Sequence, residues 1–260
     1  MKTAKLIALL LFLPLTTQAA AIATSHEYAT RAAQEVIKAG GNAVDAAIAA
    51  GFMLSVVQQY KMGIGGGGLL LVKTGKQTFV WDHRETGPVS THDKMFLGAD
   101  GKPLKRYPDT VTGPVPVGIP GTPAGMFAAH KKLGRRPWKS LLAPAIKVAR
   151  EGFPITQIYE MELEDHWDRL PAFPITATLY GDAEGGYMKR GRSLKQPLLA
   201  QTLQKIADKG AADFYTGELA KSWIPAAQKE GVKITLEDLK NYKVIERNAI
   251  KYKVFGFDAV

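Results

Sequence analysis

The sequence contains no cysteine. That single absence removes disulfide scaffolds, thiolate nucleophiles, iron–sulfur clusters and cysteine-ligated zinc together. Histidine is scarce too: five residues stand singly along the chain, and His26-Glu27 lacks the second histidine of a His-Glu-x-x-His zinc helix. No metal is therefore expected. A Gly-x-Ser-x-Gly nucleophile elbow is also missing, which argues against the commonest serine-hydrolase arrangement. Long apolar runs are absent as well. The longest, Leu6 to Leu15, is half of the roughly 20 residues that a membrane-spanning helix requires, so no membrane anchor is expected.

What remains is the composition of a globular chain, 260 residues with 46% hydrophobic and 22% charged side chains, long enough to bury a sizeable core. Lys2 and Lys5 precede the short apolar run, and Thr16, Thr17, Gln18 and several alanines follow it. This is the layout of a secretory signal peptide. It predicts cleavage after Ala19 and export to a periplasmic or extracellular location, leaving 20–260, in which nothing marks a domain boundary. The net charge of +10 raises the question of an acidic partner. The one tight basic cluster is Lys131, Lys132, Arg135 and Arg136, without the interleaved aromatic residues of a stacking platform. No nucleic-acid partner is expected, and the charge is read as a solvated basic surface.

Helix and strand signals follow one another along the chain. Thr24 and Glu27 have the spacing of a capping box, opening a helix that carries Ala29, Ala32, Ala33, Val36 and Ile37 on one face and stops at Gly40-Gly41. A second helix over 43–57 is apolar nearly all round and belongs in the core, with Asp45 in its first turn where the helix dipole favours a carboxylate. Gly63-Ile64-Gly65-Gly66-Gly67-Gly68 formally matches the dinucleotide-binding glycine pattern. Its context is inverted, however, with a helix before and a strand after, so it reads as backbone packed closely against a neighbouring layer or a ligand. Strands over 69–73 and 77–82 make a hairpin of mostly buried residues. Helical patterns return over 122–133, 138–151, 198–209, 217–230 and 236–242, and 251–257 alternates as a strand. Together they predict a layered α+β domain.

Arg84 stands at the end of the second hairpin strand, in Val-Trp-Asp-His-Arg-Glu. A guanidinium offers a planar fork of donors that matches a carboxylate. Spacing alone equally allows a local ion pair with Asp82 or Glu85. Asp82 and Glu85 as an acid–base pair for glycoside hydrolysis is the weaker reading, because residues three apart at a strand end need not face each other.

The segments taken together resemble a known family. Ser25-His26 with Ala29-Thr30, Gly40-Gly41-Asn42-Ala43-Val44-Asp45-Ala46-Ala47, the glycine run 63–68, Arg84-Glu85 with Pro88, Met95-Phe96-Leu97 and Pro120-Gly121-Thr122 closely resemble the gamma-glutamyltransferases. Pro144-Ala145-Ile146, Ala149 to Phe153, Asp213 to Gly217 and Thr235 to Leu239 continue the resemblance in order. It implies an N-terminal-nucleophile hydrolase fold, an αββα sandwich cut from a precursor into large and small subunits, here incomplete because 20–260 matches only part of the large subunit, and the use of no metal or organic cofactor. The activity it implies is transfer of the γ-glutamyl group of glutathione to water or an amino acid through a threonine ester, the threonine's own amino group serving as base. Arg84 falls on the family's Arg-Glu motif, as ligand of the substrate α-carboxylate.

The resemblance also implies what these residues leave out. The nucleophilic threonine and the rest of the γ-glutamyl pocket match sequence downstream of Val260, so no catalytic residue is expected in this chain and the chain alone is expected to be inactive. The proline run and Ser-Ser-Gly-Gly segment that follow this strand in the family give way to Asp258-Ala259-Val260, which reads as a frameshift or premature end. A non-catalytic γ-glutamyl-binding or interaction subunit, and a β-lactam acylase relative, stand as alternatives.

Overall fold

The computed structural model describes residues 20–75, 77–105 and 110–259; the signal-peptide expectation for 1–19 lies outside the described residues. Four helices form the main layer. α1 (Glu27–Lys38) buries Ala29, Ala32, Ala33 and Val36, one stripe at helical spacing. α2 (Ala43–Val57) is buried almost all round, and its alanines admit α1 on one side. On the other side lies α4 (Trp138–Glu151), which in turn packs on α7 (Pro197–Lys209). Trp138 sits in this layer with Phe52 edge-on at 5.5 Å and Phe127 edge-on at 5.0 Å. Its indole N–H donates to the Ile206 carbonyl at 2.9 Å, so the buried polar atom is satisfied.

The first helix does not begin as the sequence suggests. His26 is its N-cap, accepting through Nδ1 from the Tyr28 amide. Thr24 instead donates to the His26 carbonyl and shares a hydrogen bond with Thr30, while Glu27 pairs with Arg31. The capping box is real one helix later, where Asn42 and Asp45 exchange bonds at the start of α2.

β1 (Leu69–Thr74) and β2 (Gln77–Asp82) form the hairpin, and β5 (Ile245–Arg247) adds to β2 in a three-stranded antiparallel sheet of order β1-β2-β5. Alternation divides this sheet into two unlike faces. Leu70, Val72, Phe79 and Trp81 pack against the helical core, beside α3 (Thr122–Leu133). The opposite face carries Leu69 and Leu71, 65% and 51% exposed, with Ile245 also exposed. The expectation of a mostly buried hairpin therefore holds for one face only.

Smaller elements complete the chain. β3 (Phe153–Pro154) pairs with β4 (Ser193–Leu194), and between them lie α5 (Gln157–His166), a 3₁₀ turn and α6 (Pro174–Tyr180). α8 (Ala212–Tyr215), α9 (Glu218–Lys229) and α10 (Leu236–Asn241) lead back to the sheet. The final strand pattern is in fact a hairpin, β6 (Tyr252–Val254) and β7 (Phe257–Ala259), turned at Phe255 and Gly256, both at positive φ. Alternation along 251–257 cannot reveal a reversal at its centre; the single glycine was the turn signal.

The basic cluster is largely a solvated surface, as expected, with Lys131, Lys132 and Arg135 exposed. Lys132 pairs with Glu246 at 2.8 Å and lies 4.9 Å above the Phe79 ring. The Arg135 and Arg136 amides donate to the Asp45 carboxylate. No described helix is long and apolar enough to cross a membrane.

Candidate functional site

The glycine loop 63–68 is the keystone of the site. Gly68 exchanges two backbone hydrogen bonds with His83, at 2.9 and 3.2 Å. The Gly66 carbonyl accepts from the Gly121 and Thr122 amides at 2.8 and 2.9 Å, joining the loop to the first turn of α3. Close approach is what the missing side chains permit: a Cβ on Gly67 would collide with the His83 carbonyl, and one on Gly125 with the His83 ring. The close-packing reading of the glycine run is the one that applies. A strand follows the loop, as the inverted context indicated.

His83 fills the slot between Gly68 and Gly125. It is buried, its Nδ1 has no hydrogen-bond partner, and burial holds its imidazole below the ordinary histidine range. A neutral ring in an apolar slot is a packing group rather than a ligand.

With His83 turned inward, the next residues face a cavity of about 560 Å³. Residues 84–88 and 115–118 form most of its wall, with Gly65, Thr91, Met95 and Phe96 closing it. The two wall segments are tied by Thr86 and Ile119, which bond each other both ways. Arg84 lies in this wall, its side chain 67% exposed, and Nε is 3.5 Å from Glu85. Of the two local partners that spacing allowed, Glu85 is the one used. Asp82 is committed elsewhere: its Oδ1 accepts from the Arg84 amide at 3.0 Å and its Oδ2 from Arg247 at 2.6 Å. These two bonds, the amide first, keep its carboxyl below the usual range. It is thus tied to its own strand end and to β5, and the glycoside-hydrolase reading gains no support.

Two tyrosines that the sequence reading passed over stand behind the wall. Tyr242 stacks on Tyr215 with ring centroids 5.5 Å apart and planes at 13°. The Tyr215 hydroxyl donates to the Pro120 carbonyl at 2.8 Å, and the Tyr242 hydroxyl to the Arg84 carbonyl at 3.0 Å. Burial, with the Asp82 and Glu85 carboxylates nearby, pushes the Tyr242 hydroxyl up to about 12, so it stays protonated and a donor at neutral pH. Asp213 to Gly217 drew notice as a block, but nothing in the sequence announces a bond from Tyr215 to a carbonyl 95 residues away. Among the described residues, no group of three or more His, Asp or Glu is placed to hold a metal ion.

The family model for gamma-glutamyltranspeptidase matches residues 29–259. The chain belongs to the gamma-glutamyltranspeptidase family. A glutathione hydrolase proenzyme of Pseudomonas aeruginosa is 36% identical over 236 residues, covering 91% of this chain and 41% of that protein. Among solved structures, the gamma-glutamyltranspeptidase of Helicobacter pylori superposes with a TM-score of 0.86 at 33% identity, covering 91% of this chain and 68% of that one. A cephalosporin acylase from Bacillus halodurans gives 0.79 at 26% identity, covering 95% and 48%. The chain spans about two fifths of the length of the curated relatives it matches. The gamma-glutamyltranspeptidase match thus takes in the glycine loop, the Arg84 wall and the tyrosine pair.

Proposed function

We propose that this chain supplies the α-carboxylate side of a γ-glutamyl site in a glutathione hydrolase or γ-glutamyltransferase, with Arg84 as the anion-binding group. The observation that carries the reading is Arg84 in the wall of the 560 Å³ cavity, on a segment hydrogen-bonded to the neighbouring wall and to Tyr242. A cation presented from a braced backbone into a cavity suits a small amino-acid carboxylate. The threonine nucleophile, in this reading, comes from sequence outside these 260 residues, and the small subunit covers the sheet face that carries Leu69, Leu71 and Ile245. That apolar face supports a second sheet layered on the first, the arrangement of an αββα sandwich. Lys2, Lys5 and the apolar run after them support an exported protein.

Arg84→Ala is expected to weaken binding of L-glutamate and of glutathione by about 2 kcal/mol, roughly thirtyfold, the size of a charge-assisted hydrogen bond. Saturation-transfer NMR against the purified chain reads this directly; equal affinities for the two proteins would remove Arg84 from the site. With a chromogenic γ-glutamyl anilide the chain alone is expected to release no product. Turnover that co-purifies with it would show that the nucleophile is present after all.

A further inference from the structure

α10 touches the cavity wall through Asp238 in its first turn and through Tyr242, the residue that caps its C-terminus. Asp238 and Tyr242 stand four residues apart, a spacing that puts both on one side of a helical turn. Tyr242 bonds the Arg84 carbonyl at 3.0 Å, and Asp238 Oδ1 accepts from the Val89 amide at 2.8 Å. These contacts reach back 158 and 149 residues to the two ends of the segment that presents Arg84.

Both groups are themselves fixed. Asp238 is buried, and its Oδ2 accepts from the Thr235 amide and hydroxyl at 2.8 and 2.6 Å, the capping box of α10. One carboxylate therefore caps its own helix and holds the wall. Tyr242 is held by its stack on Tyr215, which is anchored to Pro120 and Ala124 at the start of α3. By contrast, the Arg84 guanidinium is largely exposed, and among the described residues it pairs with one carboxylate, Glu85, at 3.5 Å. Its own contacts are too few to aim it. The backbone beneath it must do so.

We propose that α10 is a brace that sets the direction of Arg84, with Asp238 and Tyr242 as positioning residues for the carboxylate-binding arm. The proposal rests on the reading of Arg84 given above. Asp238 and Tyr242 touch no ligand in this scheme; they fix the ends of 84–89 so that the guanidinium enters the cavity without an entropic penalty for ordering its backbone.

The test uses the full chain and two measurements. In hydrogen exchange read by mass spectrometry, Tyr242→Phe keeps the aromatic stack and removes one donor; it is expected to speed exchange of the peptide covering 84–89 about tenfold, the effect of one lost hydrogen bond. Peptides from α2 and α4 should keep their wild-type rates. Asp238→Ala should do the same at Val89, and Asp238→Asn, which retains one acceptor but sets an NH₂ against the other donors, should fall between alanine and wild type. In saturation-transfer NMR with L-glutamate, Tyr242→Phe should weaken affinity about tenfold, less than Arg84→Ala. Unchanged exchange over 84–89 in both Tyr242→Phe and Asp238→Ala overturns the brace. Faster exchange with unchanged L-glutamate affinity overturns its link to Arg84. If Arg84→Ala binds like wild type, or wild type does not bind, the reading of Arg84 fails separately, and the exchange data still judge the brace. Should Asp238→Ala fail to fold, Tyr242→Phe carries the decision alone.

Discussion

Asp45→Ala is expected to lower the thermal midpoint of the purified chain by roughly 10 °C, the shift that a loss of about 3–5 kcal/mol produces in a domain of this size. Asp45 is 0% exposed. Its carboxylate accepts from the Asn42 amide at 3.0 Å, the Arg135 amide at 3.1 Å and the Arg136 amide at 3.2 Å. Four oxygen lone-pair sites thus meet three amides from two segments 90 residues apart, at the positive end of α2. Alanine leaves those part-buried amides without their protein acceptor, each at a cost of about 1 kcal/mol or more. It also unties the 134–136 turn, which is further held by Asn42 Nδ2 donating to the Leu133 carbonyl at 2.6 Å. Asp45→Asn keeps the volume but turns an amide NH₂ toward amide donors, so it should fall between alanine and wild type. A midpoint within 2 °C of wild type for the alanine variant, by scanning fluorimetry, would contradict a structural role for this carboxylate.

The second large effect distinguishes two glycines of one motif. Gly67→Ala is expected to destabilise the chain by about 3 kcal/mol, the upper range for overpacking, because the new Cβ meets three backbone atoms of the adjoining 83–85 stretch: the His83 carbonyl, the Glu85 amide and the Arg84 carbonyl carbon. None of these is a flexible side-chain end that can swing away. Gly65→Ala should leave stability unchanged. Nothing lies within 4 Å of its Cβ position, and its φ is not in the left-handed region. Gly65 does line the cavity, so its variant should act on ligand affinity and hardly at all on unfolding. Urea titrations of both variants check the contrast; equal midpoints would mean that the loop is not clasped as described.

Much of this could be read from the residues. α2 announced itself through an unbroken apolar surface, β1 and β2 through β-branched and aromatic residues around a glycine turn, and α4 and α7 through helical spacing of their buried leucines and alanines. β5 did not, because Ile-Glu-Arg is three exposed residues and becomes a strand only by pairing with β2. α6 was hidden by its composition: Pro-Ile-Thr-Ala-Thr-Leu-Tyr is rich in the residues that favour strands. At the site, Arg84 was visible as a candidate through its place at a strand end, and the family resemblance, not the spacing, favoured a ligand over an ion pair. Asp238 and Tyr242 left no local trace of their role. Thr235 to Leu239 carried weight only as a block of the family resemblance; that Asp238 closes a capping box with Thr235 and that its other oxygen reaches Val89 are properties of the fold.

The glycine keystone has a consequence for the order in which the molecule assembles. Within the helical layer α1 and α2 are neighbours in sequence and pack on each other, and such contacts form early because short loops close at little entropic cost. The site draws its pieces from 63–68, 83–89, 119–125, 215 and 238–242, and its cross-links span 95, 149 and 158 residues. Those closures become favourable only once the helices have shortened the distances between them. The cavity wall is therefore expected to take shape after the α1–α2 pair, and its amides to exchange before those of α1 and α2.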